Sequence, residues 1–257
     1  GAVAEIAVPA PEEIPRTAEP VTTPPEGGPA PQGGDFFFKF YTGFNSNLNS
    51  DVRVLQPGPG NDLTFHDVVW DAKPFNHETP YYGYRIGYFL EDVPWLGVML
   101  DYTHFKYFAR TSNTVRVTGT RFGAPFDATV PMDGIVEEYE VCHGLNMVTF
   151  NAVGRLQLDV SEEFPHGRFQ PYAGFGLGPT VHHPEIEVDG MEAPVVYQWG
   201  GLGVQGLVGV SFLLIPEVDL FLEYKFTHTD ADHDLALGKG QAALDSHHWI
   251  FGTGFHW

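Results

Sequence analysis

Trp249-Ile250-Phe251-Gly252-Thr253-Gly254-Phe255-His256-Trp257 is the stretch on which the fold turns. Its residues alternate: Trp249, Phe251, Phe255 and Trp257 fall on one face of an extended strand, and Gly252, Gly254 and His256 fall on the other. An aromatic face of that kind suits lipid, while the small and polar face suits the inside of a closed barrel. The stretch therefore predicts the closing strand of a membrane-spanning β-barrel. A soluble β-sandwich whose last strand buries its aromatic face is the alternative reading of these nine residues alone.

Composition bears on both readings. The 257 residues include 30 Gly, 21 Phe, 11 Tyr and 5 Trp, with a mean hydropathy of -0.14. No run approaches the roughly 18 apolar residues that a spanning helix needs, which excludes a helical membrane protein but not a barrel. The formal net charge of -20 argues against a nucleic-acid partner and against docking to anionic phospholipid through a basic patch. Acidic loops do suit a surface bridged by divalent cations, as lipopolysaccharide is, although solubility explains them equally well. A single cysteine, Cys142, rules out an intramolecular disulfide. The sequence opens at Gly1 without a methionine or a charged-then-apolar stretch, and if the protein is exported its signal peptide is expected to have been removed.

Residues 1–34 stand apart from the rest. Eight of the 21 prolines lie there, with five glutamates and no aromatic residue. Such a segment favours extended, polyproline-like chain and cannot bury a core. It is expected to be a tail or linker that engages a protein partner or a neighbouring copy, leaving residues 35–257 as the barrel.

From Asp35 onward, eight period-two segments alternate with polar connections, at about 36–48, 80–91, 96–108, 139–156, 169–183, 197–214, 218–229 and the closing stretch. In the fifth, Ala173, Phe175, Leu177 and Val181 oppose Tyr172, Gly174, Gly176, Gly178 and Thr180. Glycines on an inner face let a small barrel curve and leave room for large neighbours. Connections after the second, fourth and sixth segments are short, and the others are generally longer. Short turns on one side and long loops on the other are the habit of outer-membrane barrels, with the termini on the periplasmic side. The fold class predicted is thus all-β: an eight-stranded antiparallel transmembrane up-and-down barrel with an N-terminal proline-rich extended tail, in the outer membrane, the tail periplasmic.

Positions assigned to the inner face collect Lys39, Arg85, Asp101, Asn151, Arg155, Gln205, Glu223 and Lys225. Eight strands enclose little more than room for side chains, so these charges are expected to pair into a network that plugs the lumen. A proton or ion path is the alternative.

Several segments together resemble a known family. Thr64-Phe65-His66-Asp67-Val68-Val69-Trp70-Asp71-Ala72-Lys73-Pro74-Phe75 with Pro80-Tyr81-Tyr82-Gly83-Tyr84-Arg85 is similar to the first loop and second strand of small outer-membrane barrels of the OmpA/OmpW-like kind, and among them to the lipid A oxidase-like barrels of alphaproteobacteria and their relatives. Leu100-Asp101-Tyr102-Thr103-His104-Phe105-Lys106, His143-Gly144-Leu145-Asn146-Met147, Pro171-Tyr172-Ala173-Gly174-Phe175-Gly176 and Glu223-Tyr224-Lys225-Phe226 carry the same resemblance. It covers about residues 36–257 and excludes the tail. It implies the barrel fold, a setting among outer-membrane lipid and lipopolysaccharide, and for some members the modification of lipid A. It carries no catalytic residue onto this chain.

Any chemistry is expected at the outer rim, where histidines concentrate: His66, His104, His143, His182, His183, His228, His233, His247 and His248. The candidates for catalysis are His228, Asp230, His233, His247 and His248. The segment His228-Thr229-Asp230-Ala231-Asp232-His233-Asp234 reads as a ligand-rich loop, with His228, Asp230, Asp232 and His233 as candidate ligands for a divalent metal. Solvated loop residues are the plainer reading of each. Two functions follow: a structural or anchoring barrel, or an enzyme acting on lipid A at the outer leaflet.

Overall fold

A computed structural model describes residues 34–73 and 80–257. The partner-binding role expected of residues 1–34 falls outside them, Gly34 apart. Eight strands make the wall: β1 (Asp35–Asn47), β5 (Tyr82–Phe89), β6 (Leu96–Ala109), β9 (Val136–Arg155), β10 (Phe169–His182), β13 (Gln198–Ile215), β14 (Val218–Leu235) and β15 (Gly238–His256). Each pairs antiparallel with the next, and β15 returns to β1 in a register running from Phe37 opposite His256 to Asn47 opposite Ser246. The sheet is therefore closed, and no edge strand remains in the wall.

The wall's exterior is apolar because the period of the strand puts every second side chain there. Phe150, Leu222 and Trp257 are 63%, 63% and 66% exposed, a cost that water would not repay and lipid removes. Aromatic side chains gather at both ends of this belt. Phe36 packs on Trp257 at 4.6 Å between ring centroids on the side of the short turns, and Phe44 stacks on Trp249 at 5.2 Å toward the loops. Tyr82, Tyr102, Trp199 and Tyr224 continue the second row, as the girdle of a membrane-spanning barrel does. No helix among the described residues is long and apolar enough to cross a membrane.

On the turn side, connections are confined to residues 90–95, 156–168 and 216–217. On the loop side the chain builds further structure. β2 (Ser50–Gln56), β3 (Asn61–Val68), β7 (Thr114–Arg121) and β8 (Ala124–Pro131) extend the sheet from the start of β15, β2 pairing β15 and β3 pairing β7. β4 (Trp70–Asp71) joins the top of β6, while β11 (Glu185–Val188) pairs both β9 and β12 (Met191–Glu192). Val52, Leu63, Phe65, Val117, Ile135, Tyr139 and Leu244 pack with the tops of the wall strands into one buried core. This head is a continuation of the wall, and its hydrophobic interior runs on into the wall at Tyr41, Phe221 and Ile250.

Two sequence expectations are corrected here. The segment ending near Thr229 continues as strand to Leu235, and the closing strand begins at Gly238, so the expected long seventh loop is the two-residue connection Ala236-Leu237. The ligand-rich segment 228–234 is consequently strand and not loop. The physical reason is burial: Ala231, Leu235, Ala242 and Leu244 turn inward into the head core and hold both strands extended beyond the belt.

Candidate functional site

Inside the belt, alternation delivers charged side chains to an interior with no room for bulk water. Arg85 and Lys225 are 1% and 0% exposed. Arg85 grips Glu223 with two parallel bonds, Nη1 to Oε2 at 2.6 Å and Nη2 to Oε1 at 2.9 Å, and its Nε donates to Asp101 Oδ1 at 3.3 Å. Lys225 Nζ donates to Asp101 Oδ2 at 2.6 Å and to Thr103 Oγ1 at 2.9 Å. Tyr41 donates to Asp101 at 2.8 Å, Tyr172 to Glu223 at 2.8 Å, and Gln205 to Asp101 at 3.1 Å. Two cations thus face two carboxylates whose remaining lone pairs are also engaged, the condition under which buried charge is tolerated.

Small residues make room for this. A side chain at Gly83 would stand 2.1 Å from the Tyr41 ring, and one at Gly209 2.6 Å from that of Tyr172. The glycines of the inner face are the seats of the two tyrosines that complete the network.

A second group closes the turn side. Lys39 pairs with Asp219 and Arg155 with Asp35, while His256 bridges the two carboxylates, Nδ1 to Asp35 at 2.8 Å and Nε2 to Asp219 at 3.1 Å. The Arg155 guanidinium lies 3.7 Å above the Phe89 ring, a cation over an aromatic face. Phe37, Phe89, Met99, Val153 and Leu207 form an apolar cluster of their own. The structure so brings Arg85, Asp101, Glu223 and Lys225 into one group and puts Lys39 and Arg155 in another. Asp35 and Asp219 were missed in the sequence, although each shares the parity of an inward neighbour, Phe37 for one and Glu223 for the other.

The rim candidates do not converge. His228, Asp230 and Asp232 lie toward the outer face of β14, whereas His233 is fully buried on the inner one. That separates the four residues expected to hold a metal, because one step along a strand reverses the side chain. His228 Nδ1 pairs with Asp245 at 2.7 Å, and its Nε2 lies 3.8 Å from Asp230. His233 bonds Tyr139 Oη at 3.0 Å and His182 at 2.7 Å. Burial holds the His233 imidazole down to about 4, so it is neutral in the head. The other two catalytic candidates divide the same way. His247 meets the Tyr224 hydroxyl at 2.6 Å on the outside, and His248, wholly buried, lies between Tyr81 and Thr227.

A different group gathers at the loop edge of the belt. Cys142, His143, His183 and Glu185 bring one donor atom each to within 4.8 Å of one another. Cys142 Sγ donates to Glu185 Oε1 at 2.8 Å and lies 3.2 Å from His143 Nδ1. Burial, and then the carboxylate it faces, push the Cys142 thiol up to about 12. Burial first, then Glu185 and its acidic neighbours, also raises Glu138 above the ordinary carboxylate range.

An eight-stranded antiparallel barrel of the membrane-spanning kind, with a filled interior and a β-built head, is the class these observations define. No protein-family model and no curated protein sequence matches the chain. Among solved structures it is similar to the outer membrane protein OprG from Pseudomonas aeruginosa, at 15% identity and a TM-score of 0.46, covering 89% of this chain and 98% of that one. It is similar also to the outer membrane protease OmpT from Escherichia coli, at 10% identity and 0.44 over 88% and 97%. Neisserial surface protein A aligns at 13% identity and 0.40 over 87% and 99%.

Proposed function

We propose that this chain is a bacterial outer-membrane barrel that works as a structural anchor: a closed wall that displays its head outside the cell and holds a partner or a neighbouring copy through residues 1–34 in the periplasm. Closed strand barrels with an apolar belt belong to outer membranes, since only there does a strand-built wall replace helices. The observation that carries the reading is the interior, where Arg85, Glu223, Asp101 and Lys225 occupy the middle and the head core covers the loop side. A filled lumen leaves the two surfaces as the places where this protein can act.

The test removes residues 1–34. With the barrel still folded, shown by heat-modifiable gel mobility, periplasmic crosslinking is expected to lose its partner bands. Retention of every band in the shortened chain would overturn the anchoring role.

The second reading, modification of lipid A at the outer leaflet, draws on the sequence resemblance. Its candidate residues His228, Asp230 and His247 lie toward lipid or solvent, and His233 and His248 are enclosed. Mass spectrometry of lipid A from aerobic cells expressing the chain separates the readings. A gain of one oxygen atom over the empty-vector control supports an oxidase, and an unchanged spectrum from a folded barrel supports the anchor.

A further inference from the structure

Two neighbouring residues of a regular strand point to opposite faces, so Cys142 and His143 should not be able to serve one ligand. The chain breaks that rule here. β6 and β9 shift register between Phe105 and Tyr107, and Gly144 adopts φ +100°, where any side chain would also strike the His104 ring. On the facing strand, Pro184 interrupts the run between β10 and β11, and His183 N bonds Gly144 O at 3.3 Å. The bulge and the break together turn Cys142, His143, His183 and Glu185 toward one point.

We propose that these four residues bind a divalent transition metal, zinc being the ion their chemistry fits best. A thiolate, two imidazoles and a carboxylate form a mixed soft and borderline donor set of the kind zinc takes in four-coordinate sites. The spacing agrees. Ligand distances of about 2.0–2.3 Å put the corners of a zinc tetrahedron about 3.3–3.7 Å apart. Here Sγ to Oε1, Sγ to Nδ1 of His143 and that Nδ1 to Oε1 measure 2.8, 3.2 and 3.2 Å, and the His183 donor lies within 4.8 Å of each, so the Sγ–Oε1 edge has to open by about 0.7 Å and the other two edges by about 0.1–0.3 Å while His183 closes in.

Two further observations point the same way. His183 Nδ1 is buried without a hydrogen-bond partner, an uncompensated polar atom that a metal would satisfy directly or through reorientation of the ring. The strand pairing also sets Glu185 opposite Glu140 and Glu187 opposite Glu138. Like charges directly opposed destabilise a sheet, and a dication held by Glu185 offsets its repulsion from Glu140.

On binding, the Cys142 Sγ–H bond breaks, the proton leaves to solvent, and sulfur donates the freed pair to the metal; no electron is transferred. Four protein ligands complete a tetrahedron and leave no open position, so the ion acts as a staple that fastens the β10–β11 break to β9 and is not set up for catalysis. The site shares no residue with the His228 segment.

The experiment uses the full chain, without an affinity tag, folded in detergent and titrated with Co²⁺ and then Zn²⁺. One Co²⁺ per chain is expected to give the intense visible bands of tetrahedral cobalt together with a near-ultraviolet thiolate charge-transfer band, both removed by Zn²⁺. Cys142→Ser should abolish the charge-transfer band, and His183→Ala or Glu185→Gln should weaken Zn²⁺ binding by about 100-fold or more, with heat-modifiable mobility retained in each. His228→Ala should leave the titration unchanged. Absence of tetrahedral bands in the unaltered chain would overturn the site, as would equal Zn²⁺ affinity in Cys142→Ser and His183→Ala.

Discussion

Individual side chains divide this molecule into an interior that must be satisfied and a surface that need not be. Asp101 is the clearest case, accepting bonds from Arg85, Lys225, Tyr41 and Gln205 at once. Replacing it by Asn leaves two buried cations with one carboxylate, and the loss expected is about 3–5 kcal/mol, the range for breaking a buried pair. The double change Asp101→Asn with Lys225→Met removes a charge of each sign and should recover part of that loss in urea unfolding from detergent. Equal destabilisation by single and double variants would contradict the pairing. His233 sets a pH dependence in the head. Its folded value of about 4 lies below the ordinary 6.5, so the unfolded head binds the proton first. Stability is full above pH 6.5 and declines as pH falls to about 4, by up to about 3 kcal/mol. Limited proteolysis should therefore cut the head faster at pH 4.5 than at pH 7, and His233→Gln should reduce the difference without abolishing it, because burial also holds the neighbouring His182 below the ordinary imidazole range. Much of this scale was legible: parity alone put Lys39, Arg85, Asp101, Glu223 and Lys225 inside. The zinc site was not, since Cys142 and His143 share a face only because of a bulge that has no marker in the sequence beyond Gly144.

Among the elements, the eight wall strands could be read because each carries its own signal, an aromatic or aliphatic face against a glycine or charged face. The head could not. β3 finds its partner in β7, a segment from a different loop, and β15 reaches back to β2 near the start of the chain. Pairing across such distances has no local signature, and short alternating runs such as Val115-Arg116-Val117 read as loop when their partner is unknown. The same blindness made the β14–β15 projection look like a loop of ligands, because its outer positions are Asp230, Asp232 and Asp234. The head core runs down into the wall at Tyr41, Phe221 and Ile250, but the turn side of the wall keeps an apolar group of its own, Phe37, Phe89, Met99, Val153 and Leu207, which predicts separable failure. Phe65→Asp buries an unpaired carboxylate in the head core, where Phe65 is fully enclosed. The head should become open to protease while the wall keeps its heat-modifiable mobility. Loss of that mobility would mean that head and wall fold as one unit.

At the scale of the whole molecule, closure, belt and filling give a rod through a membrane with a structured cap on one end. The lower charged group sets Lys39, Arg155 and both ring nitrogens of His256 on Asp219 and Asp35, and the middle group, which fills the lumen, matches the two cations Arg85 and Lys225 with the two carboxylates Asp101 and Glu223. Such balance fits a plug, whereas a selective pore shows an excess of one sign along its wall. Part of the excess negative charge of the chain lies on the head, where Asp230, Asp232 and Asp234 face outward. The most direct test of a filled barrel is single-channel recording from planar bilayers containing the folded, full-length protein. The arrangement of Arg85, Asp101, Glu223 and Lys225 predicts a flat baseline, without conductance steps at any holding potential that the bilayer tolerates. Reproducible steps from protein shown to be folded would contradict it, and would mean that the buried charges line a path instead of blocking one.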